Sequence, residues 1–199
     1  MILKVCGITN PEDAAAAIAA GANAIGFNFY PASPRYITPE RAAAILTPGA
    51  HRIGVFVNES PAHIEAIARQ ALLGIAQLHG DETPQQFPLT IPVWKAARVD
   101  AGFDFRDYED NPAEALLLDG PAAHLYGGAG QTFNWQLAAG ARHRIIIAGG
   151  LDASNVARAI ALAHPWGVDS CSRIESAPGI KDLTKMTEFL YAAKAALRG

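Results

Sequence analysis

The chain has 199 residues, of which 50% are hydrophobic and 18% are charged, and its formal net charge is −3. This size and composition predict one domain, residues 1–199, with a sizeable buried core. No Lys/Arg block and no long apolar segment occurs, which argues against nucleic-acid and membrane partners. Two cysteines are too few for a disulfide scaffold and the N-terminal residues do not resemble a signal peptide, so we expect a cytoplasmic location with reduced thiols.

Short apolar runs alternate with longer stretches along the whole chain. Each run is apolar nearly throughout, which is typical of strands in a parallel sheet covered on both faces. The eight predicted strands are Ile2–Cys6, Ala24–Phe29, Arg52–Val57, Ile75–His79, Val93–Ala97, Ala115–Asp119, Ile145–Ala148 and Gly167–Asp169.

The longer stretches predict helices, several of which begin with a capping residue followed by proline. Asn10, Thr38 and Ser60 are such caps, because their side chains can accept a hydrogen bond from the first helical turn. The predicted helices are Pro11–Ala20, Thr38–Leu46, Ser60–Leu72, Asp152–Ala163 and Asp182–Leu197. Stunted helices or loops are expected at Thr83–Phe87, Gly102–Tyr108 and Asn134–Ala139.

Eight strand–helix units favour a compact α/β fold, a single (β/α)₈ TIM barrel with some shortened helices. The alternative is a doubly wound open sheet. That fold often carries a G-x-G-x-x-G turn after its first strand, whereas here the first strand runs into Gly7-Ile8-Thr9. The sequence therefore predicts the barrel, whose active site would lie at the carboxyl ends of the strands.

Glycine-rich segments follow the sixth and seventh predicted strands, and a polar loop follows the eighth. Phosphate sites in barrels lie in the loops after the last two strands, where glycines let the backbone approach the anion. Gly128, Gly149 and Gly150 belong to the glycine-rich segments, and Ser172 and Arg173 to the polar loop. A tight turn is the alternative for Gly149-Gly150, but three such segments at one barrel mouth predict a phosphorylated small-molecule substrate.

Two residues at strand ends are candidates for proton transfer. Cys6 ends the first strand in phase with Lys4, a cation that could lower the pKa of a thiol, and Asp119 ends the sixth strand after three leucines. Burial raises the pKa of a carboxyl group and suits it to general acid catalysis. The alternatives are a buried structural Cys6, a core Lys4 tied to a carboxylate, and a turn cap at Asp119.

Arg35 and Asp169 complete the positions singled out by location. Arg35 lies in a loop with two prolines after the second strand, and it could bind a substrate carboxylate through two hydrogen bonds. A solvated loop charge is the alternative. Asp169 ends the eighth strand, and Gln77 and His79 lie at the end of the fourth.

The segments that contain these residues resemble, in sequence, the phosphoribosylanthranilate isomerase family of tryptophan biosynthesis. The similar segments run in order along nearly the whole chain: residues 4–9, 26–31 with 33–36, 54–58, 77–82, 117–119, 127–133, 148–151, 167–169, and Glu175 with 178–182. The resemblance implies an Amadori rearrangement of N-(5-phosphoribosyl)anthranilate to 1-(o-carboxyphenylamino)-1-deoxyribulose 5-phosphate, without cofactor or metal.

The resemblance also implies roles for the residues found by position. Cys6 would be the general base, Asp119 the general acid, and Arg35 the partner of the anthranilate carboxylate. Gln77 and His79 would line the pocket without proton transfer by His79. The phosphate would lie among Gly128, Gly149, Gly150 and Ser172.

The chain departs from the family pattern in the loop after the eighth strand. Arg173 stands where the family usually has glycine, so the residue is either strained by a positive φ or adds positive charge to the phosphate site. Gln131 stands where Lys is common, Asn134 where Asp is common, and Cys171 is interpreted as incidental. A histidine-pathway phosphoribosyl isomerase, a dual-substrate isomerase and a non-catalytic phosphate-binding barrel are the alternatives. We expect a monomer or a homodimer.

Overall fold

Eight parallel strands close into a barrel in sequence order in a computed structural model that describes residues 1–88, 90–120 and 132–197. The strands are β1 (Ile2–Val5), β2 (Ala24–Asn28), β3 (His51–Phe56), β4 (Ile75–Leu78), β5 (Val93–Arg98), β6 (Ala115–Asp119), β7 (Ile145–Ile147) and β8 (Gly167–Ser170). Pairing of β1 with β8 closes the ring, with Leu3 opposite Val168 and Val5 opposite Ser170. The (β/α)₈ barrel prediction is therefore confirmed.

Five α-helices in the described part of the chain cover the outside of the barrel. They are α1 (Pro11–Ala20), α2 (Pro39–Ala44), α3 (Pro61–Gln70), α4 (Val156–Ala163) and α5 (Leu183–Ala196). Short 3₁₀ helices occupy Pro84–Gln86, Phe105–Tyr108, Trp135–Ala138 and Ser172–Ile174. Three of these four lie within the stretches predicted as stunted. None of the described helices is long and apolar enough to cross a bilayer.

The helix starts follow from the capping residues in the sequence. The side chains of Asn10, Thr38 and Ser60 each accept a hydrogen bond from the backbone three residues on, and a proline follows each of them. The prediction for the fourth helix was wrong at its start. α4 begins at Val156 because Asp152 and Ser154 are held in a side-chain-bonded turn that precedes it.

A small antiparallel hairpin was not predicted. Its strands, β9 (Glu175–Ala177) and β10 (Ile180–Lys181), lie between β8 and α5. Gly179, at its turn, has a φ of +81° and accepts a hydrogen bond from Thr9 at 2.5 Å. The hairpin therefore connects the loop after β8 to the loop after β1, at the carboxyl end of the barrel.

Two layers of buried side chains hold this arrangement. Within the barrel, Trp94 and Ile53 belong to a compact cluster contributed by several strands. A larger cluster lies between the strands and the helices, and α5 contributes Phe189 and Leu190 to it with no exposed surface. Because both faces of the strands are covered, they read in the sequence as continuous apolar runs.

Candidate active site

A cavity of about 250 Å³ opens at the carboxyl ends of the strands. All the site residues predicted from sequence that the structure describes line it: Cys6, Arg35, Gln77, His79, Asp119, Gly149, Gly150, Asp169, Ser172 and Arg173. Gly128 lies outside the described residues. The strand ends thus bring together in one place groups that are up to 167 positions apart in the sequence, from Cys6 to Arg173.

Cys6 sits at the end of β1 and is almost fully buried. A hydrogen bond from the thiol of Cys171 lowers the pKa of Cys6, against the opposing effect of burial, and Lys4 and Lys181 lower it further. The same hydrogen bond, together with burial, raises the pKa of Cys171. These shifts favour the thiolate at Cys6 over that at Cys171, whose Sγ lies 3.9 Å from Glu175 Oε1.

Lys4 is fully buried directly behind Cys6, and its ammonium group lies 2.9 Å from Asp169 Oδ2. Burial disfavours its charge, but Asp169 and Cys6 together raise the pKa of Lys4 above its usual range. Burial raises the pKa of Asp169 to about 7, although Lys4 opposes that shift. Both readings of Lys4 from the sequence therefore hold, because it is tied to a carboxylate and also supplies positive charge to the thiol.

Asp119 is held by a chain of polar contacts that begins at Gln77. Gln77 Nε2 lies 3.0 Å from His79 Nδ1, and His79 Nε2 lies 3.2 Å from Asp119 Oδ2. With the amide nitrogen of Gln77 as donor, Nδ1 of His79 accepts, so the ring proton is on Nε2, the nitrogen that lies near Asp119. The carboxyl group is thereby fixed through one oxygen.

Two buried acceptors in the cavity have no hydrogen-bond partner within the described part of the chain. They are Oε1 of Gln77 and Oδ1 of Asp169. A buried acceptor left unpaired costs about 1–3 kcal/mol, so a ligand that donates to both would be favoured.

Arg35 is not a solvated loop charge. Its Nε and Nη2 donate to Glu175 at 2.9 Å and 2.7 Å, and Lys181 Nζ contacts the same carboxylate at 2.9 Å. Burial disfavours the Glu175 charge, but Arg35 and Lys181 together lower its pKa. One edge of the Arg35 fork is therefore held by the protein, which leaves Nη1 for a ligand in the cavity.

The loops after β7 and β8 form the other end of the cavity. Gly149 and Gly150 both have positive φ, +77° and +66°, which glycine adopts without strain. Arg173 does not adopt a positive φ, so the strain considered from the sequence does not arise; the described non-glycine residues with positive φ are Asn58, Leu72 and His164. Its guanidinium is paired with Asp152 at 3.0 Å and 2.8 Å and borders the cavity.

Sequence reasoning assigned no separate role to Glu175 and Lys181. Both are charged residues that the structure buries, and the burial depends on the unpredicted hairpin. Lys95 is also buried, and its Nζ lies 2.9 Å from Glu82 Oε2. Its position inside an apolar strand is the sequence feature that could have indicated a buried charge. No cluster of three or more His, Cys, Asp or Glu that could hold a metal ion occurs in residues 1–88, 90–120 and 132–197.

Comparison with known proteins gives one consistent family. The family model described as N-(5'phosphoribosyl)anthranilate (PRA) isomerase matches residues 3–192. N-(5'-phosphoribosyl)anthranilate isomerase of Solibacter usitatus is 74% identical over 197 residues, covering 99% of both chains. That of Trichlorobacter lovleyi is 46% identical, covering 98% of both.

Solved structures agree with these relatives. Phosphoribosyl anthranilate isomerase from Thermotoga maritima superposes with a TM-score of 0.90 at 39% identity, covering 98% of this chain and 100% of that one. A phosphoribosyl anthranilate isomerase in complex with reduced 1-(o-carboxyphenylamino)-1-deoxyribulose 5-phosphate gives a TM-score of 0.86 at 37% identity, with the same coverage.

Proposed function

The chain belongs to the N-(5'-phosphoribosyl)anthranilate isomerase family of tryptophan biosynthesis, and from that premise we propose that Cys6 is the general base and Asp119 the general acid of its isomerisation. Asp119 protonates the furanose ring oxygen, and the bond from that oxygen to C1′ breaks to leave a Schiff base. Cys6 removes the proton from C2′, and the electron pair forms the enolamine. The enolamine tautomerises to the ketone product.

The observation that carries this proposal is that Cys6 and Asp119 face one cavity from opposite parts of the barrel wall. β1 and β6 are separated by β7 and β8 in the ring. A sugar held between them would present its ring oxygen to one residue and C2′ to the other. An acid and a base on the same strand could not bracket the substrate in this way.

The surroundings of Cys6 suit a base. A thiol is a poor base at neutral pH unless its thiolate is stabilised, and the hydrogen bond from Cys171 with the charge of Lys4 lowers the pKa of Cys6. After taking the C2′ proton, the thiol is neutral and no longer needs these partners. As the enolamine tautomerises, the thiol gives its proton to C1′ and becomes the thiolate again, and the proton lost from the 2′ hydroxyl group restores the acid form of Asp119.

The contacts of Asp119 suit an acid that must be aimed. His79 holds Oδ2 at 3.2 Å, which leaves Oδ1 to carry the acidic proton into the cavity. His79 itself is held at Nδ1 by Gln77 and through its backbone amide, which donates to Phe56 at 2.8 Å. Such positioning of a proton donor is a main source of the rate gain in acid catalysis.

The two ends of the cavity match the two anionic groups of the substrate. Nη1 of Arg35 would bind the anthranilate carboxylate while Glu175 holds the rest of the guanidinium. Backbone amides near Gly149 and Gly150, with Ser172 and Arg173, would surround the phosphate. The side chains of Gln77 and Asp169, which also line the cavity, would accept hydrogen bonds from ribose hydroxyl groups.

Turnover of freshly made phosphoribosylanthranilate by Cys6→Ala and Asp119→Asn tests the two roles. Each variant is expected to lose roughly 10²- to 10⁴-fold in kcat, as for removal of a general acid or base, with circular dichroism and the unfolding midpoint close to the parent's. Asp110→Asn, at an exposed aspartate, is the matched control and should keep parental kcat. Near-parental kcat in either folded variant would refute the role of that residue.

A further inference from the structure

The only two cysteines of the sequence stand opposite each other at the mouth of the barrel. Val5 pairs with Ser170 across β1 and β8, and the amide of Cys6 donates to the Ser170 carbonyl at 3.0 Å. Cys6 and Cys171 therefore directly follow the last paired residues of the two strands. At that last pair the strands lie about 4.8 Å apart, a spacing within the Cα separation of about 4.4–6.8 Å that a disulfide spans, and the two cysteines are one residue further on.

The side chains of the pair face the same cavity. Both cysteines are free and both line the cavity, and each thiol shifts the pKa of the other. Cys171 is packed against the end of β1, since a Cβ added to Gly7 would lie 2.9 Å from its sulfur. Because the two backbones are neighbours and both side chains line one cavity, oxidation could join the two sulfur atoms.

Positive charges around the pair favour the reactive thiolate. Lys4 lies behind Cys6, and Lys181 Nζ lies 4.0 Å from the sulfur of Cys171. A thiolate beside such cations is the form that attacks a peroxide. Cys171 is partly exposed, so a small oxidant in the cavity has access to the pair.

We propose that Cys6 and Cys171 form a reversible intramolecular disulfide when a peroxide oxidises the chain, and that this bond switches the active site off. The thiolate of Cys6 attacks one peroxide oxygen, and the O–O bond breaks. Hydroxide departs, and Cys6 becomes a sulfenic acid. The sulfur of Cys171 then attacks the sulfur of Cys6 and loses its proton, and water leaves. Two thiols are oxidised and one peroxide is reduced to water.

The disulfide itself follows from the geometry of the two cysteines, whereas the loss of activity rests on the proposed role of Cys6 as base. These two claims are measured separately. The mass of the protein reports the bond, and turnover of phosphoribosylanthranilate reports its effect.

The test is titration of the purified enzyme with hydrogen peroxide, followed by intact mass and by digestion without reductant. The expected mass change is a loss of two hydrogens, with a crosslinked peptide that joins the Cys6 segment to the Cys171 segment. Turnover should fall in proportion to the crosslinked fraction, by roughly 10²-fold at completion, and dithiothreitol should restore it. Addition of oxygen atoms without the crosslink, or a crosslink between two chains, would overturn the proposal.

Cys171→Ser is the matched variant, because it keeps a hydroxyl donor beside Cys6 but cannot form the bond. Under the same titration its Cys6 is expected to gain two or three oxygens, and dithiothreitol should then fail to restore its own untreated activity. Full recovery of a folded Cys171→Ser after the same exposure would show that Cys171 gives no protection and would contradict the switch. A crosslink that forms in the parent without loss of turnover would instead refute Cys6 as the base and leave the disulfide standing.

Discussion

Lys4 shows how a single buried charge can set the chemistry of its neighbours. It has no exposed surface, and it lies between the carboxylate of Asp169 and the thiol of Cys6. A buried ammonium is costly unless it is paired, and here one carboxylate and one thiolate share it. For Cys6 to act as a base it therefore needs a cation as well as its place at the barrel mouth, and Lys4 supplies that cation from two residues earlier on the same face of β1.

Lys4→Met tests this coupling. Removing the ammonium group should raise the pKa of Cys6 towards the ordinary thiol range, because Lys4 is one of the groups that lower it. The fold should survive at neutral pH, since Lys4 lowers the pKa of the Asp169 carboxyl group, and without Lys4 that pKa rises above its value of about 7 and leaves the carboxyl group neutral. The measurement is the pH dependence of iodoacetamide alkylation of the Cys6 peptide, whose midpoint should move to higher pH.

Lys194→Met, at a lysine on the outer helix α5, is the control and should leave the alkylation midpoint where the parent has it. An unchanged midpoint in Lys4→Met would mean that the Lys4 charge does not act on Cys6. The double variant Lys4→Met/Asp169→Asn removes both charges. It separates the loss of the Lys4 charge from any effect of leaving the Asp169 carboxylate buried and unpaired.

The sequence could predict which residues lie at the barrel mouth where those residues end a predicted strand. Cys6 and Asp119 were found from the end of an apolar run alone, because the barrel places every such end at one mouth. The partners were not predictable. Arg35 and Glu175 are 140 positions apart, and nothing in either segment specifies that they meet.

At the scale of elements, the loop after β8 positions the charged residues at one end of the cavity. It forms a 3₁₀ turn at Ser172–Ile174 and then the hairpin of β9 and β10, which brings Glu175 to Arg35 and Lys181. Caps and prolines predicted the starts of α1 to α3 to within one residue. The predicted start of α4 was wrong because the side chain of Asn155 bonds the backbone of Asp152 and Gly150, and that of Asp152 bonds Ser154, in a turn that competes with helix.

Arg173→Ala tests whether this loop contributes charge to the phosphate. The side chain is about half exposed, so its contribution to binding should be modest, about 1 kcal/mol or roughly a 5-fold rise in KM, with kcat unchanged. Inhibition by inorganic phosphate should weaken by the same factor. Both are measured in steady-state kinetics at fixed ionic strength.

Asp152→Asn provides the comparison, because it removes the partner of Arg173 and keeps the guanidinium. It should not raise KM, since the positive charge is then less neutralised. An equal rise in both variants would assign the effect to the shape of the loop and contradict a contribution from the Arg173 charge.

At the scale of the whole molecule, the barrel is stabilised where its first and last strands meet. The pairing of β1 with β8 closes the ring, and α5 packs on α1 and α4 across that seam. The barrel was predictable because eight apolar runs alternate with helices. The hairpin escaped prediction, since its strands have only three and two residues and carry no periodic pattern.

Phe189→Ala and Tyr191→Ala form a matched pair for the seam. Phe189 is fully buried and Tyr191 is 60% exposed on the same helix. Truncation of Phe189 should lower the free energy of unfolding by about 3–5 kcal/mol through lost burial and a cavity, whereas that of Tyr191 should change it by no more than about 0.5 kcal/mol. Urea unfolding followed by tryptophan fluorescence measures both, and equal losses would contradict the packing of α5.

Trapping the Schiff base with borohydride tests the division of labour between Cys6 and Asp119 most directly. Cys6→Ala keeps the acid and lacks the base, so it should open the ring of phosphoribosylanthranilate and accumulate an imine that borohydride reduces to a stable amine. Asp119→Asn should yield no more of that amine than a sample without protein. Equal trapping in the two variants, or trapping only in Asp119→Asn, would contradict the assignment of acid and base.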